Sequence, residues 1–310
     1  MMHKPSKSAQ KTKTTLHLLS ALVVASYGRH FLARDDAGGV WQIYGKGKRR
    51  EVAVGDRVLI QPSGDKQAWV EEIETRRNLL YRSDALKSKL FAANVDLVLL
   101  VLAVSPPYSP ELLGRTLVAC QHAQVPLHIV FNKTDLLEEA DIAELRDEIK
   151  QLTLDEVPIH FVSVSHTPEA TLALFLPLLS EKRTLILGQS GMGKSTLINA
   201  LIPQARAATN DISLALNAGK HTTTHTQLHS GPNGMALIDS PGFQAFGLHH
   251  LTPDDLLHVF DDVAEEAKRC RFANCQHLRE PNCAVKLALE NHTLSDARFA
   301  LYLMLRDSEP

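Results

Sequence analysis

The chain has few cysteines, few aromatic residues and no long apolar run. Only four cysteines occur among 310 residues, and three of them lie close together. This distribution does not resemble the disulfide framework of a small secreted protein. No run of 18 apolar residues is present, which excludes an ordinary membrane-spanning helix. Aromatic residues make up 5% of the chain, so charge is a stronger guide than ring stacking to any nucleic-acid surface.

Acidic residues are absent from the first 15 positions, which hold four lysines. We predict that residues 1–15 form a disordered basic arm, because they have too few apolar side chains to build a core. The apolar stretch after them resembles a short secretory signal, but His17 and Ser20 interrupt it and a strand pattern follows. We therefore expect a cytoplasmic protein with no membrane partner.

Positive charge is concentrated in the N-terminal quarter of the chain. Residues 1–80 contain 14 Lys and Arg against 8 Asp and Glu, although the whole chain has a net charge of −2. Short strand-like runs separated by glycines predict an all-β domain over residues 16–80, of a size that suits a five-stranded OB-fold. Its predicted basic turn consists of Lys46, Lys48, Arg49 and Arg50. Its candidate base-stacking residues, although such aromatics are more often core residues, are Tyr27, Phe31, Trp41 and Tyr44.

Residues 81–250 have the sequence pattern of a parallel α/β domain, in which long apolar strands alternate with helical segments. Within it, Gly188–Ser195 fits the phosphate-binding pattern G-x-x-x-x-G-K-S/T and lies between a predicted strand, Arg183–Leu187, and a predicted helix. Lys194 is expected to reach the outer phosphates and Ser195 to ligate Mg²⁺. The predicted phosphate-loop contacts are Gly188, Gln189, Ser190, Gly191, Met192, Gly193, Lys194, Ser195 and Thr196.

A second motif indicates which base is bound. The buried strand Pro126–Phe131 runs into Asn132-Lys133-Thr134-Asp135, which fits N-K-x-D. The Asp135 carboxylate can accept hydrogen bonds from the guanine N1–H and the exocyclic amine, and adenine offers no such pair of donors. Asn132 is expected to hold the base loop to the phosphate loop, and the Lys133 stem to pack over the base. The predicted guanine-site residues are Asn132, Lys133, Thr134, Asp135 and Ser163.

Two further segments have the sequence of nucleotide-sensing switches. In Gly219–Thr224, one of three threonines, which we take to be Thr223, would sense the γ-phosphate through Mg²⁺. In Asp239-Ser-Pro-Gly242, Asp239 would hold a magnesium-bound water and the Gly242 N–H would face the γ-phosphate. Phe243 stands where Ras-like enzymes place the water-orienting glutamine. The predicted catalytic residues are therefore His221, to orient the attacking water, with Thr223 and Lys194.

Three of the four cysteines lie within 14 residues of one another, in the pattern Cys270-x₄-Cys275-x-His277-x₅-Cys283. Three thiolates and one imidazole make a closed tetrahedral set, so we predict one structural zinc in residues 251–310. The predicted helices around it, Pro253–Lys268, Ala284–Glu290 and Ser295–Arg306, are short, and the metal is expected to hold them together. The fourth cysteine, Cys120, is predicted to be a core residue.

The order of the motifs is unusual. Ordinary GTPases place N-K-x-D and the serine-bearing base loop after the phosphate loop and both switches, whereas here these two elements come first. We therefore predict a multidomain chain with an N-terminal OB-fold barrel, a central circularly permuted P-loop GTPase domain and a C-terminal, mostly helical zinc-binding domain. This arrangement and these motifs, over roughly residues 18–300, resemble the small-ribosomal-subunit biogenesis GTPases of the RsgA (YjeQ) family. Two departures are Val164, where an alanine is expected, and Gly191, where potassium-activated relatives have asparagine.

The resemblance implies an enzyme that hydrolyses GTP to GDP and phosphate and assists late maturation of the small ribosomal subunit, which stimulates it. Its expected partners are GTP or GDP with magnesium, the subunit and its rRNA, and a monomer is expected. One alternative is a nucleotide-regulated RNA-binding module that acts on a non-ribosomal RNA. An ATP-dependent kinase is a second alternative, but Asp135 argues against it and no acceptor site is evident.

Overall fold

The computed structural model describes residues 18–27, 30–45, 51–83, 88–153, 157–205, 225–240 and 246–308. Several predictions fall outside these residues. They concern the basic arm 1–15, the basic turn 46–50, the first switch with His221 and Thr223, and the second-switch residues Gly242 and Phe243.

The N-terminal part is a closed five-stranded barrel. Its strands pair in the order β1-β2-β3-β5-β4, and β4 also pairs with β1 to close the barrel. Buried side chains such as Val23, Ile43 and Val58 fill its interior, because successive residues of a strand point to opposite faces. The predicted OB-like barrel is confirmed. Its strands are β1 (Leu19–Ser26), β2 (Phe31–Asp35), β3 (Val40–Gly45), β4 (Arg57–Gly64) and β5 (Gln67–Ile73).

A two-stranded sheet that the sequence did not predict follows the barrel. It consists of β6 (Leu79–Ser83) and β7 (Ser88–Ala93), and the expected domain boundary between residues 80 and 81 falls inside β6. Bridges join it to both neighbours: Val54 of the barrel pairs with Ala92, and Arg82 pairs with Phe246, which follows the second switch. The hairpin therefore connects the barrel with the segment that leaves the nucleotide domain.

The central domain has a mostly parallel sheet in the order β10-β9-β8-β11-β13-β12, with β12 antiparallel to β13. All seven residues of β8 are buried, as expected for a central strand covered on both faces. The strands are β8 (Leu97–Ala103), β9 (Leu127–Asn132), β10 (Ile159–Phe161), β11 (Arg183–Leu187), β12 (Thr226–Ser230) and β13 (Ala236–Asp239). The helices are α1 (Pro110–His122), α2 (Glu139–Thr153), α3 (Pro168–Leu179) and α4 (Lys194–Leu201).

The central sheet continues into the barrel. Ala25 and Ser26 of β1 pair with Gln227 and Thr226 of β12 in antiparallel register. The two sheets therefore form one eleven-stranded sheet, and β12, the strand that follows the first switch, is hydrogen-bonded to the barrel.

The C-terminal part has four described helices: α5 (Pro253–Val259), α6 (Asp261–Ala267), α7 (Ala284–Glu290) and α8 (Asp296–Ser308). The prediction of one helix over Pro253–Lys268 was wrong, because the chain leaves helical geometry at Phe260, with φ −108° and ψ 59°. The Phe260 ring is fully buried, and burying it there interrupts the helix. In the described ranges, no helix has the length and apolarity needed to cross a bilayer.

These helices do not fold around the cysteine cluster alone. Helix α8 packs on α1 so closely that a Cβ added at Gly114 would lie 2.7 Å from the Leu301 Cδ1 atom. The buried Arg298 guanidinium, 4% exposed, donates to the Asp262 carboxylate at 2.9 Å and to the Leu152 carbonyl, at the end of α2, at 2.7 Å. The expectation that the metal holds the helices together is thus incomplete, since α8 also shares the core of the nucleotide domain.

Candidate functional site

The phosphate loop joins β11 to α4, in the context that the sequence predicted. Its three glycines have backbone conformations that other residues rarely adopt: φ is 141° at Gly188, 82° at Gly191 and 96° at Gly193. A Cβ would also lie 2.1 Å from the Val101 carbonyl oxygen at Gly188, and 2.1 Å from the Asn132 Nδ2 atom at Gly193. Only glycine fits these two positions.

The polar side chains of the phosphate loop differ in what they can offer a ligand. Ser190, Ser195 and Thr196 are exposed, whereas the Met192 side chain is buried in the core, so Met192 can contribute only its backbone. The Gln189 Oε1 atom accepts from the Ser109 N–H at 3.0 Å. The exposed hydroxyls at the start of α4 lie at a helix N-terminus, which favours the binding of anions.

Lys194 is folded back over its own loop. Its Nζ atom donates to the carbonyls of Gly188 at 2.6 Å and Gln189 at 2.7 Å. Asp239 ends β13, where it pairs in register with Ile186 of β11, beside the phosphate loop. Burial lowers the pKa of Lys194 and raises the pKa of Asp239, and each charge partly offsets the shift of the other. An ammonium and a carboxylate thus converge where triphosphate and magnesium bind in P-loop proteins.

Asn132 connects three loops of the site. Its buried side chain donates from Nδ2 to the Met192 carbonyl of the phosphate loop at 3.0 Å. Its Oδ1 atom accepts from the Val164 N–H at 3.1 Å, and the Val164 side chain is buried. The base loop and the phosphate loop are therefore fixed to each other through one amide, although they lie 60 residues apart along the chain.

The loop after β8 was not predicted as part of the site. Its Ser105 carbonyl accepts from the Lys133 Nζ atom at 2.5 Å, and its Ser109 N–H contacts the phosphate loop. Pro106 lies against Gly191, where an added Cβ would approach the proline Cδ to 3.2 Å. No sequence motif marks this loop, because its part in the site follows from the place of β8 next to β11.

The Asp135 carboxylate lies at the edge of the base loop and accepts from two side chains. The Ser163 hydroxyl donates to Oδ1, and the His166 Nδ1 atom lies 3.2 Å from Oδ2. The Ser163 hydrogen bond is the main cause that lowers the pKa of Asp135, with further contributions from His166 and Lys133. Asp135 is therefore ionised at neutral pH. His166 was not among the predicted site residues.

The predicted metal ligands come together at the start of α7. The ligand atoms of Cys270, Cys275, His277 and Cys283 all lie within 4.8 Å of one another. The Cys270 and Cys283 sulfurs are 3.8 Å apart, which equals the edge of a tetrahedron with metal–sulfur bonds of about 2.3 Å. The His277 Nδ1 atom lies 3.4 Å from the Cys283 sulfur and 3.6 Å from the Cys270 sulfur. The cluster could hold a metal ion.

Glu280 fixes the loop between two of these ligands. Its carboxylate accepts from the backbone N–H groups of Gln276 at 2.8 Å, Leu278 at 3.1 Å and Arg279 at 3.1 Å. These bonds lower the pKa of Glu280 to about 2. The loop around His277, which has φ 60°, is thus held by one side chain as well as by the ligand set.

Comparisons with known proteins agree with this geometry. The family described as RsgA GTPase matches residues 73–249. Proteins named small ribosomal subunit biogenesis GTPase RsgA are similar along nearly the whole chain. The one from Paraburkholderia phytofirmans is 49% identical over 294 residues, covering 93% of this chain and 92% of its own. The one from Paraburkholderia xenovorans is 50% identical over 291 residues, covering 92% of this chain and 91% of its own.

Two solved structures have the same fold. YjeQ from Thermotoga maritima is 28% identical with a TM-score of 0.65, and the match covers 94% of this chain and 98% of that one. YloQ, described as a circularly permuted GTPase, is 26% identical with a TM-score of 0.63, over 97% and 99% of the two chains. The permuted order of motifs, the joined base and phosphate loops and these relatives lead to one assignment: the chain belongs to the RsgA GTPase family.

Proposed function

We propose that this GTPase binds the immature small ribosomal subunit through rRNA and uses GTP hydrolysis to assist its late maturation. The Asn132 contact with the phosphate loop is the observation that carries the nucleotide part of the proposal. Because of that contact, a group suited to phosphates and a group suited to guanine lie in one site. The ribosomal part rests on the names of relatives that match 92–93% of this chain.

The nucleotide would lie across the joined loops. Backbone N–H groups of Gly188–Ser195 would cradle the phosphates, with Lys194 turning from its loop carbonyls to the outer phosphates. Ser195, Thr223 and Asp239 would hold Mg²⁺, which when bound neutralises charge on the outer phosphates. Asp135, Ser163 and the Lys133 stem would bind guanine.

We propose His221 as the group that orients the attacking water, with Thr223 and Lys194 as its partners at the γ-phosphate. Phe243 occupies the place of the usual glutamine, and a phenyl ring cannot accept a hydrogen bond from water as an amide or imidazole can. Gly242 would donate its N–H to the γ-phosphate. His221, Thr223 and Gly242 lie in segments that the structure does not describe, so the support for these roles is their sequence.

We propose one structural zinc ion at the Cys₃His cluster. A closed set of three thiolates and one imidazole is the donor set that zinc prefers, and it leaves no open position for chemistry. The spacing of the sulfurs supports this proposal.

The barrel is the proposed rRNA-binding domain, together with the arm 1–15 and the basic turn 46–50. Of its four candidate stacking residues, Phe31 is buried in the barrel core and is removed from the set. Tyr27 and Tyr44 are only half-buried, and the Trp41 indole N–H donates to Asp35 at 2.7 Å. We further propose domains over 16–80, 81–250 and 251–310, a monomeric state and a cytoplasmic location.

Stimulation of GTP hydrolysis by isolated ribosomal subunits tests the proposal. We expect small subunits to raise turnover by roughly 10²-fold, the scale of a positioned water-orienting group, and large subunits to have no effect. In sedimentation, binding to small subunits should weaken steeply with salt if phosphate contacts dominate. Equal stimulation by an unrelated RNA would instead support a general RNA-binding module.

A matched variant separates binding from chemistry in the same assay. His221→Ala should bind GTP and small subunits like the parent protein and lose the stimulated hydrolysis. If its stimulated turnover stays within about threefold of the parent, His221 is not the water-orienting group.

A further inference from the structure

His166 stands beside the carboxylate that is proposed to read guanine. Its Nδ1 atom lies 3.2 Å from the Asp135 Oδ2 atom and 3.3 Å from the Ser163 hydroxyl. We propose that His166 is a positioning residue that fixes the Asp135 carboxylate for guanine. This inference rests on the proposed role of Asp135.

The hydrogen bonds around Asp135 leave room for a base. A carboxylate has about four acceptor positions, two on each oxygen. Ser163 uses one on Oδ1 and His166 uses one on Oδ2. Guanine offers two donors, the N1–H and the exocyclic amine, and each oxygen keeps a lone pair that neither side chain uses. The two side chains therefore fix the plane of the carboxylate without using the positions that the base requires.

The backbone holds the imidazole in this place. The N–H groups of His166 and Thr167 both donate to the Ser163 carbonyl, at 3.1 and 2.8 Å, and Thr167 is followed directly by α3. This tight turn brings His166 back over Ser163. The His166 side chain is 67% exposed, so replacing it should not disturb the core.

Dissociation constants for GDP, measured on the full chain at about pH 7.5, near the physiological range, test the proposal. His166→Ala should weaken GDP binding by about fivefold, the scale of one hydrogen bond, and leave kcat at saturating GTP unchanged. His166→Asn should restore the affinity, because its amide nitrogen can take the place of Nδ1.

Two control variants make the outcome unambiguous. His258→Ala, at an exposed position of α5, should bind GDP like the parent protein. Asp135→Asn tests the guanine site separately, and the loss of GDP binding together with a gain of xanthosine diphosphate binding would support that site. If Asp135→Asn behaves in this way while His166→Ala keeps the parent affinity, the role of His166 is disproved and the proposed function stands. If Asp135→Asn leaves GDP binding unchanged, both are disproved.

Discussion

The nucleotide site and the cysteine–histidine cluster are assembled in opposite ways. The cluster takes all its ligands from residues 270–283, within one loop and the start of α7. The nucleotide site takes its groups from loops around residues 105, 132, 163, 188 and 239, which meet because β10, β9, β8, β11 and β13 are neighbours in the sheet. The cluster therefore depends on local sequence and a metal, whereas the site depends on the whole domain.

Because of this difference in assembly, removing one side chain should have different consequences in the two regions. The cluster has three thiols and one imidazole crowded together, and without a metal no covalent bond links them. In the nucleotide site, the hydrogen bonds between the strands do not depend on which side chains the loops carry. Changes in the cluster should thus affect folding of one segment, and changes in the site should affect binding while the fold persists.

Removal of the metal should have the largest effect. Cys275→Ala should lose about one bound zinc per chain, and with it roughly 10 kcal/mol of local folding free energy, the scale of structural zinc sites. Because α8 is held on α1 and α2 by Leu301 and Arg298, hydrogen exchange should rise over residues 270–290 and far less over α8. GTP binding should stay within about twofold. Metal analysis and exchange mass spectrometry measure these outcomes.

Cys120→Ala is the matched control for that variant. Cys120 is a buried core residue of α1, as predicted, and burial raises the pKa of its thiol. This variant should keep its metal. The separation of the two regions would be contradicted if the parent protein contained no zinc. It would also be contradicted if hydrogen exchange in Cys275→Ala rose as much over α8 as over residues 270–290.

Asp135→Asn should have the next largest effect and leave the fold intact. The amide can no longer accept from both guanine donors, so we expect GTP affinity to fall about 10³-fold or more and xanthosine triphosphate affinity to rise. Calorimetric titration with both nucleotides measures the change. Asp141→Asn, at an exposed residue that accepts from the Glu138 N–H at 3.1 Å, should bind GTP like the parent protein. Unchanged GTP binding by Asp135→Asn would overturn the assignment of the base loop.

Arg298→Met should have the smallest of the three effects. It changes the contact between the C-terminal helices and the nucleotide domain. It leaves the buried carbonyls of Leu152 and Val259 and the Asp262 carboxylate without their donor, at a cost of about 3 kcal/mol. Thermal unfolding should start at a lower temperature, with GTP affinity and zinc content unchanged. Arg269→Met, which breaks an exposed pair with Glu266, should cost less than about 1 kcal/mol. Equal destabilisation by the two variants would contradict a structural role for the buried guanidinium.

Local patterns predicted the parts of the molecule that depend on local sequence. The strand Arg183–Leu187 and the helix Ala284–Glu290 have the predicted bounds, because a buried apolar run and helix-forming residues decide them. The ligand set of the cluster was predicted residue by residue for the same reason. The barrel and the permuted α/β domain followed from element order and motif order.

Features that depend on distant contacts could not be predicted. The break at Phe260 arises because its ring enters a core shared with Tyr302, whose ring centroid lies 5.5 Å away. Arg298 is buried with partners that are distant in sequence: the Leu152 and Val259 carbonyls and the Asp262 carboxylate accept from it. His166 has no motif of its own, and its contact with Asp135 requires two loops to meet at the same edge of the sheet. In each case the residue type is compatible with an exposed position, so sequence alone gives no signal.

The pairing of β1 with β12 covers part of a sheet edge. Strand β12 is the last strand of the central sheet, and Ala25 and Ser26 occupy part of its outer edge. An uncovered edge strand is a template for strands of other molecules. A fragment confined to residues 73–249, the part matched by the family, would keep the nucleotide motifs and expose this edge, so we expect it to aggregate more readily than the full chain.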